Sequence, residues 1–184
     1  MIVVGILGAG GAAVPQIARR AAATGARTEV VGAAPIGTAG DRLLLQLTTA
    51  GVGHATVTRV GTGAEPTIEP ADLDLALRYL PDIRAIVLAT PPPTLLATAA
   101  AAAGFTGATL VVVGPVDALA LDGIPSPGPI VLDPPAHDPD GAFAGLVAAL
   151  AARLDAGAEP GVAWAATIEA LAIGQASGTA RRLA

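Results

Sequence analysis

The sequence predicts a three-layer α/β/α sandwich built around a mostly parallel β-sheet. Short apolar, β-branched runs alternate with longer alanine-rich amphipathic runs along all 184 residues, which is the order expected of β–α–β units. Several short runs, such as IVV at residues 2–4 and VVV at residues 111–113, contain no polar position. Strands that are covered by helices on both faces have this composition. A chain of this length is long enough to bury one sizeable core.

Six strands and six helices are predicted in order along the chain. The β-branched runs predict strands at residues 2–7, 28–32, 55–60, 83–89, 109–113 and 130–132. The alanine-rich runs predict helices at residues 11–24, 39–50, 70–79, 94–103, 139–156 and 160–170. Three of these helices begin at an acidic residue followed by proline, as in Asp138-Pro139. We therefore predict one domain over residues 1–171 and a small, polar tail over residues 172–184 that is a candidate for partial disorder.

The charge composition excludes several classes of function. Only 14% of the residues are charged, the net charge is −5, and all ten basic residues are arginine. Binding to nucleic acid or to an anionic membrane surface requires a basic patch, so neither partner is expected. Without lysine there is no Schiff-base or Walker-type lysine, and without cysteine there is no thiolate nucleophile and no disulfide.

The sequence favours a cytoplasmic protein that self-associates. The N-terminal apolar run has no basic region before it, so we interpret it as a strand rather than a signal peptide. An uncharged stretch lies between Arg84 and Asp117, but prolines at 91–93 and glycines at 104 and 107 divide it. Each piece is shorter than the roughly 20 apolar residues that span a bilayer. The low charge and the 53% hydrophobic content predict a homo-oligomer without locating its interface.

A glycine-rich turn, GAGGAA at residues 8–13, connects the first strand to the first helix. Backbone amides in such a turn face a bound anion at the positive end of the helix. The spacing of Gly8, Gly10 and Ala13 also fits a loose dinucleotide-binding fingerprint, which requires an acid at the end of the second strand. The sequence has GAA at residues 32–34 in that place, and Glu29 lies too early. Tight strand–helix packing and dinucleotide binding are therefore both open interpretations of this turn.

The same turn and the segments after it resemble the ribokinase (PfkB) family of carbohydrate kinases. That family has a GG-x-x-A-N-x-A helix, then L-G-A, a strand ending in glycine, V-G-D-D-x-x-G-x-x-L and L-x-x-x-G-V. The matching segments are GGAAVPQIA at 10–18, TGA at 24–26, VVG at 30–32, IGTAGDRLL at 36–44 and AGV at 50–52. The AFAG at 142–145 is similar to the helix that follows the family's catalytic G-A-G-D motif. The resemblance implies a ribokinase-like fold, and a sugar or nucleoside ligand.

Several residues depart from what the resemblance implies for a working kinase. In the family, an aspartate of the first strand and an asparagine of the di-glycine helix hold the sugar. Here the first strand runs directly into Gly10 and Gly11, without the lid, and the asparagine position is Pro15. The paired acids of the G-D-D segment fall near residues 36 and 37. The resemblance implies about 300 residues for a full kinase of this family, whereas this chain has 184.

The catalytic aspartate of the G-A-G-D motif aligns with Gly141, which has no side chain to accept a proton. Asp140 is one position away and is the candidate catalytic base if the register is shifted. Asp138 and Asp140, however, both lie in the predicted first turn of the helix, where carboxylates complement the helix dipole. A carboxylate about 4 Å from a phosphate is repelled by roughly 4 kcal/mol at an effective dielectric constant of 20, or about three decades of affinity. We therefore predict that this Asp-Pro-Asp segment caps the helix.

We assign the ligand site to residues at the carboxyl ends of the parallel strands. The candidates are Gly10, Gly11, Gln16, Gly37, Asp133, His137, Asp138 and Gly141. The acidic cluster around His137 suggests either a hard-metal site or a loop that caps a helix, and no metal is assigned.

Three functions are compatible with these residues. The preferred hypothesis is a catalytically impaired PfkB-like protein that binds a small sugar- or nucleoside-like ligand or acts as an interaction domain. The second is a compact, active sugar kinase that uses Asp140 or Asp133 as base, with ATP and Mg²⁺. The third is a dinucleotide-binding protein. No cofactor is assigned except ATP with Mg²⁺ under the kinase hypothesis.

Overall fold

The computed structural model describes residues 1–5, 13–61, 67–124 and 127–182, with side chains up to residue 172. Its strands are β1 (Ile2–Gly5), β2 (Thr28–Pro35), β3 (Gly53–Val60), β4 (Ala85–Ala89), β5 (Thr109–Val113) and β6 (Ile130–Leu132). Its helices are α1 (Ala13–Ala23), α2 (Thr38–Thr49), α3 (Pro70–Tyr79), α4 (Pro93–Thr106), α5 (Ala142–Asp155) and α6 (Pro160–Arg182). A short 3-10 turn follows β5.

The strands form one sheet in the order β3-β2-β1-β4-β5-β6, and every pair of neighbours is parallel. Helices α1, α2 and α5 cover one face, and α3 and α4 cover the other. The predicted three-layer sandwich is thereby confirmed. Side chains alternate between the two cores along each strand, so that Val87 faces α1 and α5 whereas Ile86 and Leu88 face α3 and α4.

Most predicted elements are present, with some boundaries displaced. Helix α3 and strands β5 and β6 have the predicted bounds. The prediction that the fifth helix begins at Pro139 is wrong, because Gly141 has a left-handed φ of 66° and the helix starts after it. The sixth helix continues to Arg182, through residues that we predicted to form a tail. The glycine-rich turn at 8–12 lies outside the described residues.

The carboxyl ends of all six strands lie at one edge of the sheet. The chain crosses from one face to the other between β3 and β4, so the switch point lies where β1 neighbours β4. Thr90, which follows β4 there, has a left-handed φ of 49° and donates its backbone N–H to the carbonyl of Val113 at 2.7 Å. Across the described ranges, no helix is long and apolar enough to cross a membrane.

Candidate functional site

A surface pocket of about 560 Å³ lies between α1 and the start of α5. Helix α1 contributes Gln16, Arg19 and Arg20, and the turn before α5 contributes Asp140 and Gly141. The pocket thus brings together three residues that the sequence assigned to the site and adds two arginines that it did not. No motif marks these arginines, because only the packing of α1 against α5 turns them toward the same space.

The carboxylate of Asp138 caps α5. Its two oxygens accept hydrogen bonds from the backbone amides of Phe143 at 3.1 Å and Ala144 at 3.2 Å. The predicted capping role is confirmed for Asp138, although this residue precedes the helix by four positions instead of standing at its N-cap. Partial burial raises the pKa of Asp138, but the backbone hydrogen bonds at the start of α5, followed by the positive charge of Arg20, outweigh burial and hold the pKa below its ordinary value. Asp138 is therefore ionised at neutral pH.

Gly141 lies at a position that a side chain would not easily occupy. Its φ of 66° is left-handed, and a Cβ added there would be 2.7 Å from Nη2 of Arg20 and 3.1 Å from Oε1 of Gln16. Nη2 of Arg20 also donates a hydrogen bond to the backbone carbonyl of Asp140 at 2.8 Å. The guanidinium group therefore fills the volume beside the residue that aligns with the family's catalytic aspartate.

The remaining predicted site residues are separated from this pocket or exposed beside it. Gly37 is the N-cap of α2, with a φ of 113° and no side-chain cap. Asp133 and His137 are exposed in the segment after β6. Within the parts of the chain that the structure describes, no three histidine or acidic side chains form a group that could hold a metal ion. Gly10 and Gly11 fall in the undescribed turn.

The acidic residue at the start of α2, Asp41, forms an ion pair within the chain. Asp41 accepts a hydrogen bond from Nη2 of Arg59 at 2.7 Å across the gap to β3. Gly40 is required beside it, because a Cβ there would be 1.9 Å from the carbonyl oxygen of Pro35. The close approach of α2 to the end of β2 therefore explains this glycine by packing alone.

Glu29 has a structural role in the sheet. It is buried in β2 at an irregularity in the β2–β3 register, and its Oε1 accepts a hydrogen bond from the amide of Ala55 at 3.1 Å. Gly53 leaves room for this carboxylate, since a Cβ at that position would be 1.7 Å from Oε2 of Glu29. The carboxylate therefore satisfies a β3 amide inside the sheet and does not reach the end of β2.

Comparison with solved structures identifies the fold. No protein-family model and no curated protein sequence matches this chain. The crystal structure of Sa239 superposes with a TM-score of 0.62 at 12% identity, and the match covers 89% of each chain. The apo form of a proposed ribokinase II from E. coli also gives a TM-score of 0.62, at 11% identity and 89% coverage of each chain. Its complex with ATP and Mg²⁺ gives 0.58 at 12% identity, covering 83% of this chain and 78% of that one. The chain therefore has the ribokinase-like fold that the resemblance in its first 60 residues implies.

Proposed function

We propose that this chain is a catalytically impaired ribokinase-like protein, one that binds a small sugar- or nucleoside-like ligand without efficient phosphoryl transfer. The observation that carries the proposal is the hydrogen bonding of the Asp138 carboxylate to the Phe143 and Ala144 amides. In the family that the sequence resembles, the start of this helix is the anion hole. In this chain, an internal carboxylate already occupies it.

Phosphoryl transfer at the start of α5 would require two features that the residues there do not provide. A triphosphate needs unpaired amide donors at the helix start, and those of Phe143 and Ala144 are bonded to an ionised carboxylate that repels phosphate. The reaction also needs a proton acceptor within hydrogen-bond reach of the attacking hydroxyl. Gly141 offers none, Arg20 fills the adjacent space, and the neighbouring Asp140 is exposed to solvent. The residues present therefore do not fit ATP at the start of α5.

The pocket beside this helix suits recognition better than catalysis. Gln16 presents an amide that can donate and accept, and Arg19 and Arg20 present guanidinium donors. Hydroxyl groups of a sugar or nucleoside pair with such groups in both directions. The volume of about 560 Å³ lies within the range of small-molecule sites.

The test measures phosphotransfer and ligand binding separately. The purified chain is incubated with MgATP and a panel of sugars and nucleosides, ADP release is followed, and calorimetry measures ligand binding without ATP. We expect no ADP release above the protein-free rate, and binding of at least one panel member that is weakened by Gln16→Ala. Robust turnover that Asp140→Ala or Asp133→Ala abolishes would establish the compact active kinase instead.

The capping carboxylate can be tested directly. Replacing Asp138 by asparagine removes the charge at the helix start, so inorganic phosphate should bind more tightly. We expect the affinity for phosphate to rise about fivefold or more. Two unit charges about 4 Å apart interact by about 1 kcal/mol in bulk water, and by more at a lower dielectric constant. Asp133→Asn is the matched control, because it removes an exposed carboxylate that does not cap α5. Equal phosphate affinity in wild type and Asp138→Asn would remove the basis of the proposal.

Dinucleotide binding is the second candidate, and the sheet order favours it. The order β3-β2-β1-β4-β5-β6 is that of the dinucleotide-binding doubly wound fold. Against it, β2 ends in Ala33-Ala34-Pro35 with no acid for a ribose hydroxyl, and Glu29 is bonded inside the sheet. A rise in Tm with NAD or NADP that ATP does not produce would select this candidate over the first.

A further inference from the structure

We propose that the outer face of α3 and α4 is the surface through which two copies of this chain form a symmetric dimer. This α3–α4 face consists of the groove residues Asp74, Leu77, Arg78, Leu80, Ala101, Ala102, Phe105 and Thr106. This inference does not depend on the proposed ligand or on the state of the kinase site.

Helix α4 has no charged residue on any side. Its sequence, PTLLATAAAAAGFT, is apolar apart from three threonines. Leu95, Leu96 and Ala99 account for one side of the helix by packing on the sheet. A helix that is apolar all round is normally covered on all sides, because a solvated face carries charged or strongly polar groups. Burial within the described chain therefore explains only half of α4.

The uncovered half carries the most exposed large apolar side chain of the described residues. Phe105 is 91% exposed, in a sequence whose aromatic content is only 2%. Aromatic residues concentrate at protein interfaces and dominate their energetics. Phe105 therefore gives the α3–α4 face an aromatic group of the kind that anchors interfaces.

The occupant that fits this face is a second copy of the face itself. Phe105 projects from the edge of a groove of about 410 Å³ that is lined by Leu77, Leu80 and Ala102. An aromatic ring fits a cavity of about 150 Å³, so the groove has room for the ring of another Phe105. A two-fold axis makes each contact occur twice, which requires a projection and a matching recess on the same surface. The α3–α4 face has both.

The charges at the rim permit the same arrangement. Asp74 and Arg78 form an ion pair of 2.8 Å along α3 at the edge of the groove. One negative and one positive charge can face their opposites across a two-fold axis, whereas two faces of one sign would repel. The chain as a whole carries a net charge of −5, so two copies meet with least repulsion where the surface is balanced. Both features favour self-association over a strongly charged partner.

The size of the face sets the expected strength. Helix α4 is 14 residues long, about 21 Å, and two packed helices are about 20 Å wide, which gives roughly 400 Å² of projected surface per copy. Stable complexes bury about 800 Å² per partner. We therefore expect a reversible dimer with a dissociation constant in the micromolar range.

The experiment is sedimentation equilibrium of the wild-type chain from about 1 µM to about 1 mM, a range that brackets this constant. We expect a monomer–dimer equilibrium that Phe105→Ala weakens by about tenfold or more. Leu45→Ala is the matched control, because Leu45 is 65% exposed on α2, across the sheet from α4, and should leave the equilibrium unchanged. Circular dichroism verifies that both variants fold. A chain that remains monomeric throughout, as it would if another protein covers this face, overturns the proposal.

A second measurement locates the contact. The sequence has no cysteine, so a single introduced cysteine reports one position. Ala101→Cys, one turn before Phe105 in the groove lining, should be joined to its copy by a short bis-maleimide, because the proposed contact brings the two groove linings together. Leu45→Cys should not. Cross-linking at residue 45 and not at residue 101 would place the dimer elsewhere and refute the α3–α4 assignment.

Discussion

The region where α1 meets α5 and the region where α3 meets α4 differ in how their exposed groups are partnered. In the first, Asp138 caps α5, and Arg20 bonds the carbonyl of Asp140 and fills the space beside Gly141. In the second, the groove beside Phe105 is open and the ring itself is exposed. The amides at the start of α5 are thus satisfied within the chain, whereas the α3–α4 face exposes an apolar side chain that nothing in the described residues covers.

The largest change in the free energy of unfolding should come from the buried sides of the helices, which are equally well covered in the two regions. Leu150 of α5 and Leu96 of α4 are both fully buried against the sheet. Replacing either by alanine should lower the free energy of unfolding by about 2–5 kcal/mol, because each change leaves a cavity. Urea denaturation measures both. A small loss at Leu96 alone would mean that α4 is loosely packed, and its apolar outer side would then need no partner.

Placing an aspartate at Gly141 tests the first region. Gly141→Asp should lower the free energy of unfolding by about 1–2 kcal/mol, because the left-handed φ disfavours a side chain and Arg20 must move. Gly141→Asp should lower the free energy of unfolding by less in the Arg20→Ala background than in the wild type, because the arginine side chain no longer has to move. We also expect no gain in phosphotransfer, since Asp138 still occupies the helix amides. A fully stable Gly141→Asp variant with measurable turnover would show that only the missing aspartate silences the site.

The capping carboxylate predicts a pH dependence. The pKa of Asp138 is lowered in the folded chain, so its contribution to stability is complete above the unfolded value of about 4 and is lost as pH falls through the lower folded value. Asp138→Asn should therefore unfold more easily than wild type at pH 7, and the difference should shrink below about pH 4. Urea midpoints across a pH series measure it. A difference that is constant with pH would show that the carboxylate's charge does not matter.

The smallest effect contrasts two helical glycines. A Cβ at Gly104 of α4 meets no atom within 4 Å, whereas one at Gly145 of α5 would be 3.4 Å from Nη1 of Arg20. Gly104→Ala should raise the free energy of unfolding by about 0.4–1 kcal/mol through lower chain entropy in the unfolded state. Gly145→Ala should gain slightly more, because its Cβ would also make ordinary van der Waals contact with Arg20. Thermal unfolding measures both, and a smaller gain at residue 145 would mean that Arg20 does not pack against the added methyl group.

Much of the fold could be predicted from the sequence, because local patterns determine it. Uncharged β-branched runs marked the buried strands, and Pro70 marked the start of α3. The displaced start of α5 could not be predicted in the same way. Asp138-Pro139 is a valid helix start by composition, and only the left-handed backbone of Gly141 delays the helix to Ala142.

The candidate site was predictable only in part. Gln16, Asp140 and Gly141 were marked by their motifs and lie in one pocket, but Arg19 and Arg20 were not, since an arginine on an amphipathic helix has the pattern of a solvated residue. The likeness to GG-x-x-A-N-x-A and G-A-G-D indicated which elements should meet. It did not indicate the Asp138 cap, which was predicted instead from the two carboxylates at the start of the helix and is confirmed for Asp138.

The layers of this protein, the glycine at residue 141 and the lack of lysine and cysteine chemistry follow from the sequence, since each depends on residue type and local periodicity. The tertiary structure alone places Arg20 in the space beside Gly141 and Phe105 at a groove lined by residues of α3. These outcomes depend on groups far apart in the chain being brought within a few ångströms, which no local pattern encodes.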